Sequence, residues 1–134
     1  MKKKILRRVI CAVVLIVVGF IFFRPMPMVG SQHNVEIHRI SYNRENIFDV
    51  IDREEFLEIL SNYNTRRAVI DLPRLFDEDI VWEIGLLRES GPTNIILGKN
   101  SFLYTRSARA LFVHRIIDAE ALMAELELLL PQSD

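Results

Sequence analysis

One cysteine, five glycines and five prolines are all that the 134 residues hold of the types that build disulfides, phosphate-cradling loops and frequent turns. The lone Cys11 sits inside an apolar run, so the rest of the chain can form neither an intramolecular disulfide nor a thiol or thiolate-metal centre. Arg8, Val9 and Ile10 precede it where a lipid-attached cysteine has small residues, which leaves packing inside a membrane as its expected role. Gly19, Gly30, Gly85, Gly91 and Gly98 are too dispersed for either common phosphate-binding loop. Ser31, Ser41, Ser61, Ser90, Ser101, Ser107 and Ser133 form no Gly-x-Ser-x-Gly elbow and no Ser-x-x-Lys pair.

Acidic residues are missing from the first 24 positions, which hold six Lys and Arg; the remainder holds eleven against all eighteen Asp and Glu. A domain with that excess of negative charge repels phosphate backbones, so no nucleic acid is expected among its partners.

What the N-terminus does have is MKKKILRR, with five cations, followed by VICAVVLIVVGFIFF, Val9 to Phe23, fifteen residues without a charge. At 1.5 Å per residue that run reaches about 22 Å, short of a hydrocarbon core of about 30 Å, so a spanning helix must recruit neighbours. Ile5 and Leu6 on one side, Met26, Met28 and Val29 on the other, and the long stems of Arg7, Arg8 and Arg24 can supply them. Pro25 and Pro27 should end the helix, because proline lacks the amide proton and restricts the residue before it. A core helix of a soluble protein is the competing reading, but an all-round apolar helix behind five cations fits a domain of this size poorly.

Five cations before the run against one just after it predict a cytoplasmic N-terminus and an extracytoplasmic remainder in a single-pass membrane protein. The same pattern describes a cleavable signal peptide, with Val29-Gly30-Ser31 offering a cleavage site before Gln32 that would leave a secreted protein. That site lies eight residues beyond Phe23, behind Arg24 and two prolines, which favours a retained anchor. The expected division is an anchor over 1–24, a linker over 25–34 and one domain over 35–134.

Within the domain, Val35 to Tyr42 reads as a strand. Asp52 and Glu55 form a capping-box-like start to a helix reaching Tyr63, with Phe56, Ile59 and Leu60 on its apolar stripe. Arg67 to Leu72 is a short strand stopped by Pro73. Ile80, Trp82, Ile84 and Leu86 alternate with Val81, Glu83, Gly85 and Leu87, the clearest strand pattern in the chain, with Trp82 as a core anchor. Another strand starts at Asn94, Gly98-Lys99-Asn100-Ser101 turns into Phe102 to Thr105, and Arg109 to Ile117 is the last strand. Asp118 caps a final helix carrying Leu122, Met123, Leu126, Leu129 and Leu130. The two strand-to-helix joints, at Asp52 and at Asp118, read as one cap chemistry used twice rather than as a repeat. The fold class expected is α+β: an N-terminal transmembrane helix, then a mostly antiparallel sheet of five or six strands with two helices packed on it.

Candidate chemistry is sparse. His33 falls in the linker and His38 five residues on, a spacing without the close pair that zinc sites use, so no metal or cofactor is expected. His38 and His114 lie on candidate strands, and pairing of those strands would bring the two together. Glu54, Glu55 and Glu58, and Asp77, Glu78 and Asp79, read as solvated surface; Asp71 belongs with the strand end at Pro73. Arg66 with Arg67, and Arg106 with Arg109, could meet an anionic ligand or lipid headgroup, although salt bridges to the acidic majority are the default expectation.

The succession Asp49-Val50-Ile51-Asp52, Trp82-Glu83-Ile84, Ile95-Ile96-Leu97, Phe102-Leu103-Tyr104 and a Leu-rich C-terminal helix resembles the small membrane-attached exported proteins of Gram-positive bacteria. These are packing motifs over roughly residues 35 to 130. The resemblance implies topology and carries over no functional residue, since that group has no assigned activity. The leading functional expectation is a membrane-anchored binding module without catalysis, holding the bilayer through its helix and a protein partner at the cell surface. The alternatives are a small extracytoplasmic hydrolase or inhibitor, whose site would gather His38, His114 or Tyr104, and an accessory subunit of a membrane complex.

Overall fold

The apolar run and the cations before it form one helix, α1 (Lys2–Phe22), in the computed structural model, which describes residues 1–30, 34–68, 79–89, 91–106 and 111–132. Its 21 residues span about 31 Å at 1.5 Å each, so winding Lys2 to Arg8 into the helix closes the shortfall against a hydrocarbon core of about 30 Å. No residue of α1 is buried, and it is the one helix among the described residues long and apolar enough to cross a membrane. It closes where the Phe23 amide bonds the Gly19 carbonyl at 3.0 Å, two residues before Pro25.

The strands are β1 (Met26–Pro27), β2 (Val35–Tyr42), β3 (Glu45–Asn46), β4 (Asn64–Arg67), β5 (Ile80–Arg88), β6 (Gly91–Gly98), β7 (Phe102–Arg106) and β8 (Leu111–Ile116), with helices α2 (Arg53–Ser61) and α3 (Ala119–Glu127). They form one sheet in the order β1-β4-β8-β7-β6-β5-β2-β3, antiparallel at every pairing. The fold is α+β, with eight strands among the described residues where about five or six were expected. The two additions, β1 and β3, are two-residue strands at the sheet's edges, too short to show alternation and suited to blunting an edge.

The starts of β4 and β6 also differ from the pattern reading. β4 lies over Asn64–Arg67 instead of starting at Arg67, because its main chain pairs with Arg115 and Ile116 whatever its side chains' polarity; residues 69–78, including Asp71, Asp77 and Glu78, lie outside the described residues. β6 begins at Gly91, drawn into the ladder opposite Arg88, with Gly91 at φ 118 where a side chain would be strained.

Alternation decides which residues the helices cover. Ile37 and Ile40 of β2, Trp82, Ile84 and Leu86 of β5, Ile95 and Leu97 of β6, and Leu103 of β7 share a core with Phe56 and Leu60 of α2 and Leu122 and Leu126 of α3. Trp82 is fully buried, its ring centroid 4.7 Å from Tyr42 and 5.9 Å from Phe56. Side chains of that size contribute about 2–3 kcal/mol each by leaving water. On the other face, Ile96 and Phe102 anchor a smaller cluster with Ile80, Tyr104 and Val113.

The two joints that look alike in sequence are built differently. Asp52 accepts hydrogen bonds from the amides of Glu54 and Glu55 at 3.0 and 3.3 Å, as an N-cap should, and α2 ends at Ser61 rather than Tyr63. Asp118 makes no side-chain cap bond and takes a left-handed conformation, φ 56, in place of the extended one typical of a capping residue.

The stretch read as a linker enters the sheet. Met26 and Pro27 pair with Thr65 and Asn64 of β4, the Met28 amide bonds the Tyr63 carbonyl at 2.9 Å, and Met28 and Val29 are buried in the main core. Pro27 is tolerated because β1 is an edge strand with no further neighbour to serve.

Candidate functional site

The clearest departure from the domain's acidic average is the edge region where β4, continuing past its two-residue partner β1, pairs with β8. Neither strand contains a carboxylate, and their register sets Arg66 opposite Arg115 and Arg67 opposite His114. Like charges directly opposite across a ladder repel. Alternation sends the first pair to one face of the sheet, while the second shares the helix-covered face with Thr65 and Ile116. Arg66, Arg67 and Arg115 are exposed.

Arg88 joins the second pair from β5. Its guanidinium donates to the Met28 carbonyl, and its Nε is buried with no hydrogen-bond partner among the described residues. His114 Nδ1 is buried and unpartnered in the same way. Burial holds the His114 imidazole below its ordinary pKa, with Arg67 and then Arg88 adding repulsion. Burial likewise lowers Arg88. Beside them on β6 and β7, the Thr93 and Thr105 hydroxyls hydrogen-bond each other at 3.0 Å.

The edge adjoins the foot of α1. Antiparallel pairing of Met26 with Thr65 carries the chain back past Arg66 and Arg67, and the Arg67 guanidinium lies 4.8 Å from the centroid of the Phe22 ring. Such a contact contributes about 0.5–1 kcal/mol at an exposed site. Arg24 adds an exposed cation at the same junction. Among the described residues, the salt bridge is Arg39 to Glu83, 3.1 Å apart across β2 and β5, and none of Arg24, Arg66, Arg67, Arg88 or Arg115 is paired with a carboxylate. Salt bridging, the default expectation for Arg66 and Arg67, is thus not what the described residues show.

Comparison with protein-family models, curated proteins and solved structures finds no match.

The residues singled out for other chemistry are dispersed. His38 sits at a register shift in β2 with its ring over Gly85, so close that a Cβ there would lie 2.5 Å from His38 Cε1. His114 lies four strands away on the opposite face, about 19 Å in strand spacings alone. Tyr104 shares the outer face with His38 but is separated from it by Asn94 and Gly85. The three do not converge. His33, Ser31, Ser90, Ser107, Arg109 and Ser133 lie outside the described residues. Glu54, Glu55 and Glu58 are exposed on α2, and Asp79 is exposed before β5. Among the described residues no three His, Cys, Asp or Glu side chains cluster closely enough to hold a metal ion.

Pattern reading noticed Arg66 and Arg67 but missed Arg88, His114 and Arg115 as their companions. The three contributing strands, β4, β5 and β8, are far apart in sequence, and only the sheet brings these residues together. Chemically, the arrangement can bind an anion: exposed guanidinium forks, a neutral imidazole able to gain a proton, and no nucleophile among these residues.

Proposed function

We propose that the chain is a single-pass membrane protein whose helix is retained and whose α+β domain stands at the extracytoplasmic surface as a binding module without catalysis. The observation that carries this reading is the pairing of a fully exposed apolar helix with a seam that is buried. α1 has no side chain in the core, yet Met28 and Val29, six and seven residues past its end, are 0 % and 3 % exposed. A helix of that composition left in water would present apolar surface along its whole length. Cleavage before Gln32 would remove β1, Met28 and Val29 from the folded domain, which argues for retention. The cations before Val9 put the N-terminus in the cytoplasm. The dispersal of His38, His114 and Tyr104 supports binding over hydrolysis.

The test is protease added to spheroplasts, followed by mass measurement of the membrane-bound product. The reading expects the domain to be degraded from outside while the intact chain, with residues 1–31 present, is recovered from untreated membranes. A chain found in the soluble fraction, a product beginning at Gln32, or a domain protected until the membrane is opened would each overturn it.

A further inference from the structure

We propose that the β4–β8 edge is a docking surface for anionic phospholipid headgroups, which holds the domain down on the bilayer in one orientation. The inference rests on α1 being inserted in the membrane. Phe22 is the last residue of a helix about 31 Å long, so it ends at the boundary between hydrocarbon and headgroups. The guanidinium of Arg67 stacked on that ring therefore lies at headgroup depth, with Arg24 two residues past the helix end. From there the ladder register carries the positive charge across to β8, where Arg115 stands opposite Arg66 on the outer face while the neutral imidazole of His114 stands opposite Arg67 on the other.

Nothing among the described residues neutralises this surface, and its Arg66–Arg115 cross-strand pair is repulsive. Phosphodiesters supply the missing charge and the paired oxygens a guanidinium fork accepts. The rest of the domain reinforces the orientation. α2, α3 and their two cap residues carry eight exposed carboxylates, at 52, 54, 55, 58, 118, 120, 125 and 127, against Arg53 alone. An anionic surface attracts the edge and repels the helices. The buried Nε of Arg88 and Nδ1 of His114 lie behind Arg67 and gain a neighbouring negative charge when a headgroup seats there.

The experiment uses the full chain in nanodiscs of phosphatidylcholine with or without phosphatidylglycerol, reading amide hydrogen exchange in β4 and β8. A flotation gradient comes first. A chain that does not float with lipid defeats membrane insertion and this docking together, whereas a chain that floats but shows no lipid dependence defeats docking alone. With phosphatidylglycerol, exchange of the Thr65–Arg67 and Val113–Arg115 amides should slow on the order of tenfold, given the attraction of several arginines to an anionic surface. High salt should abolish the difference.

The variant Arg66→Gln/Arg67→Gln/Arg115→Gln should lose the lipid dependence while melting within about 5 °C of the wild type in phosphatidylcholine, since all three side chains are exposed and the Arg67–Phe22 contact is the one stabilising interaction removed. If it proves unstable, the salt titration of the wild type decides by itself. Equal exchange in the two lipids, or a lipid effect that survives high salt, overturns the proposal. Inorganic phosphate added to phosphatidylcholine discs separates the sources: protection by phosphate alone would mean a soluble-anion site in place of a lipid one.

Discussion

The helical layer and the β4–β8 edge belong to one sheet yet are stabilised in opposite ways. Under α2 and α3 the sheet contributes large apolar side chains, the charges point outward, and the one cap that needs a carboxylate has it in Asp52. At the edge the main chain is paired just as well, but Arg66 faces Arg115 and Arg67 faces an imidazole that burial keeps neutral. The first region is stabilised by apolar burial within the fold, although the buried Nε1 of Trp82 has no hydrogen-bond partner among the described residues. The second is left with unmet charge, and that difference distinguishes a part built for stability from a part built to meet something else.

The sharpest way to test the division is Trp82→Ala, which empties the largest fully buried site and should cost about 3–5 kcal/mol in equilibrium unfolding of the detergent-solubilised protein. A loss below about 1 kcal/mol would break the comparison on its stable side. Met28→Ala tests the seam beside α1 and should cost about 2–4 kcal/mol if that stretch belongs to the core; a spacer would tolerate it. Asp52→Ala should cost about 1 kcal/mol through lost capping, whereas Asp118→Gly should stabilise by up to about 1 kcal/mol, because glycine adopts φ 56 without a Cβ penalty.

The edge should respond to acid. His114 has a folded pKa below its unfolded value, so its neutral form is favoured by folding and the unfolded chain binds more protons. Stability from this group is fully present above about pH 6.5 and declines as pH falls from there through the lowered folded value. His114→Gln should flatten that part of the pH–stability curve in thermal melts; an unchanged curve would locate the acid sensitivity elsewhere. The smallest effect belongs to Arg115→Gln, which should leave stability unchanged or raise it by a few tenths of a kcal/mol by relieving repulsion from Arg66. A clear loss would show that Arg115 has a partner in the fold.

Legibility in the sequence divides along the same line. β2 was readable to its end residues, and so were the turn at Gly98–Ser101, the face carrying Trp82, Ile84 and Leu86, and the cap at Asp52, because burial of alternate side chains and local capping leave a period or a spacing behind. β1, β3 and β4 left none. Asn64-Thr65-Arg66-Arg67 has no apolar alternation to read, and Met26-Pro27 looks like a helix stop followed by a spacer, since what holds both is backbone pairing supplied by strands elsewhere in the chain. Asp118 misled because composition does not report a backbone angle. The cationic edge was legible only as Arg66 and Arg67, its other members being assembled by register.

The way the chain leaves α1 also has a mechanical consequence. With Met26 and Pro27 laddered to β4 and the next two side chains sunk in the core, there is no slack between helix and domain, so tilting one turns the other like a lever. Under a pull from outside, the two-residue ladder is the shortest link and peels first. Once Met26 to Val29 come free they can pay out about 13 Å of chain, letting the domain lift off while its central strands stay intact.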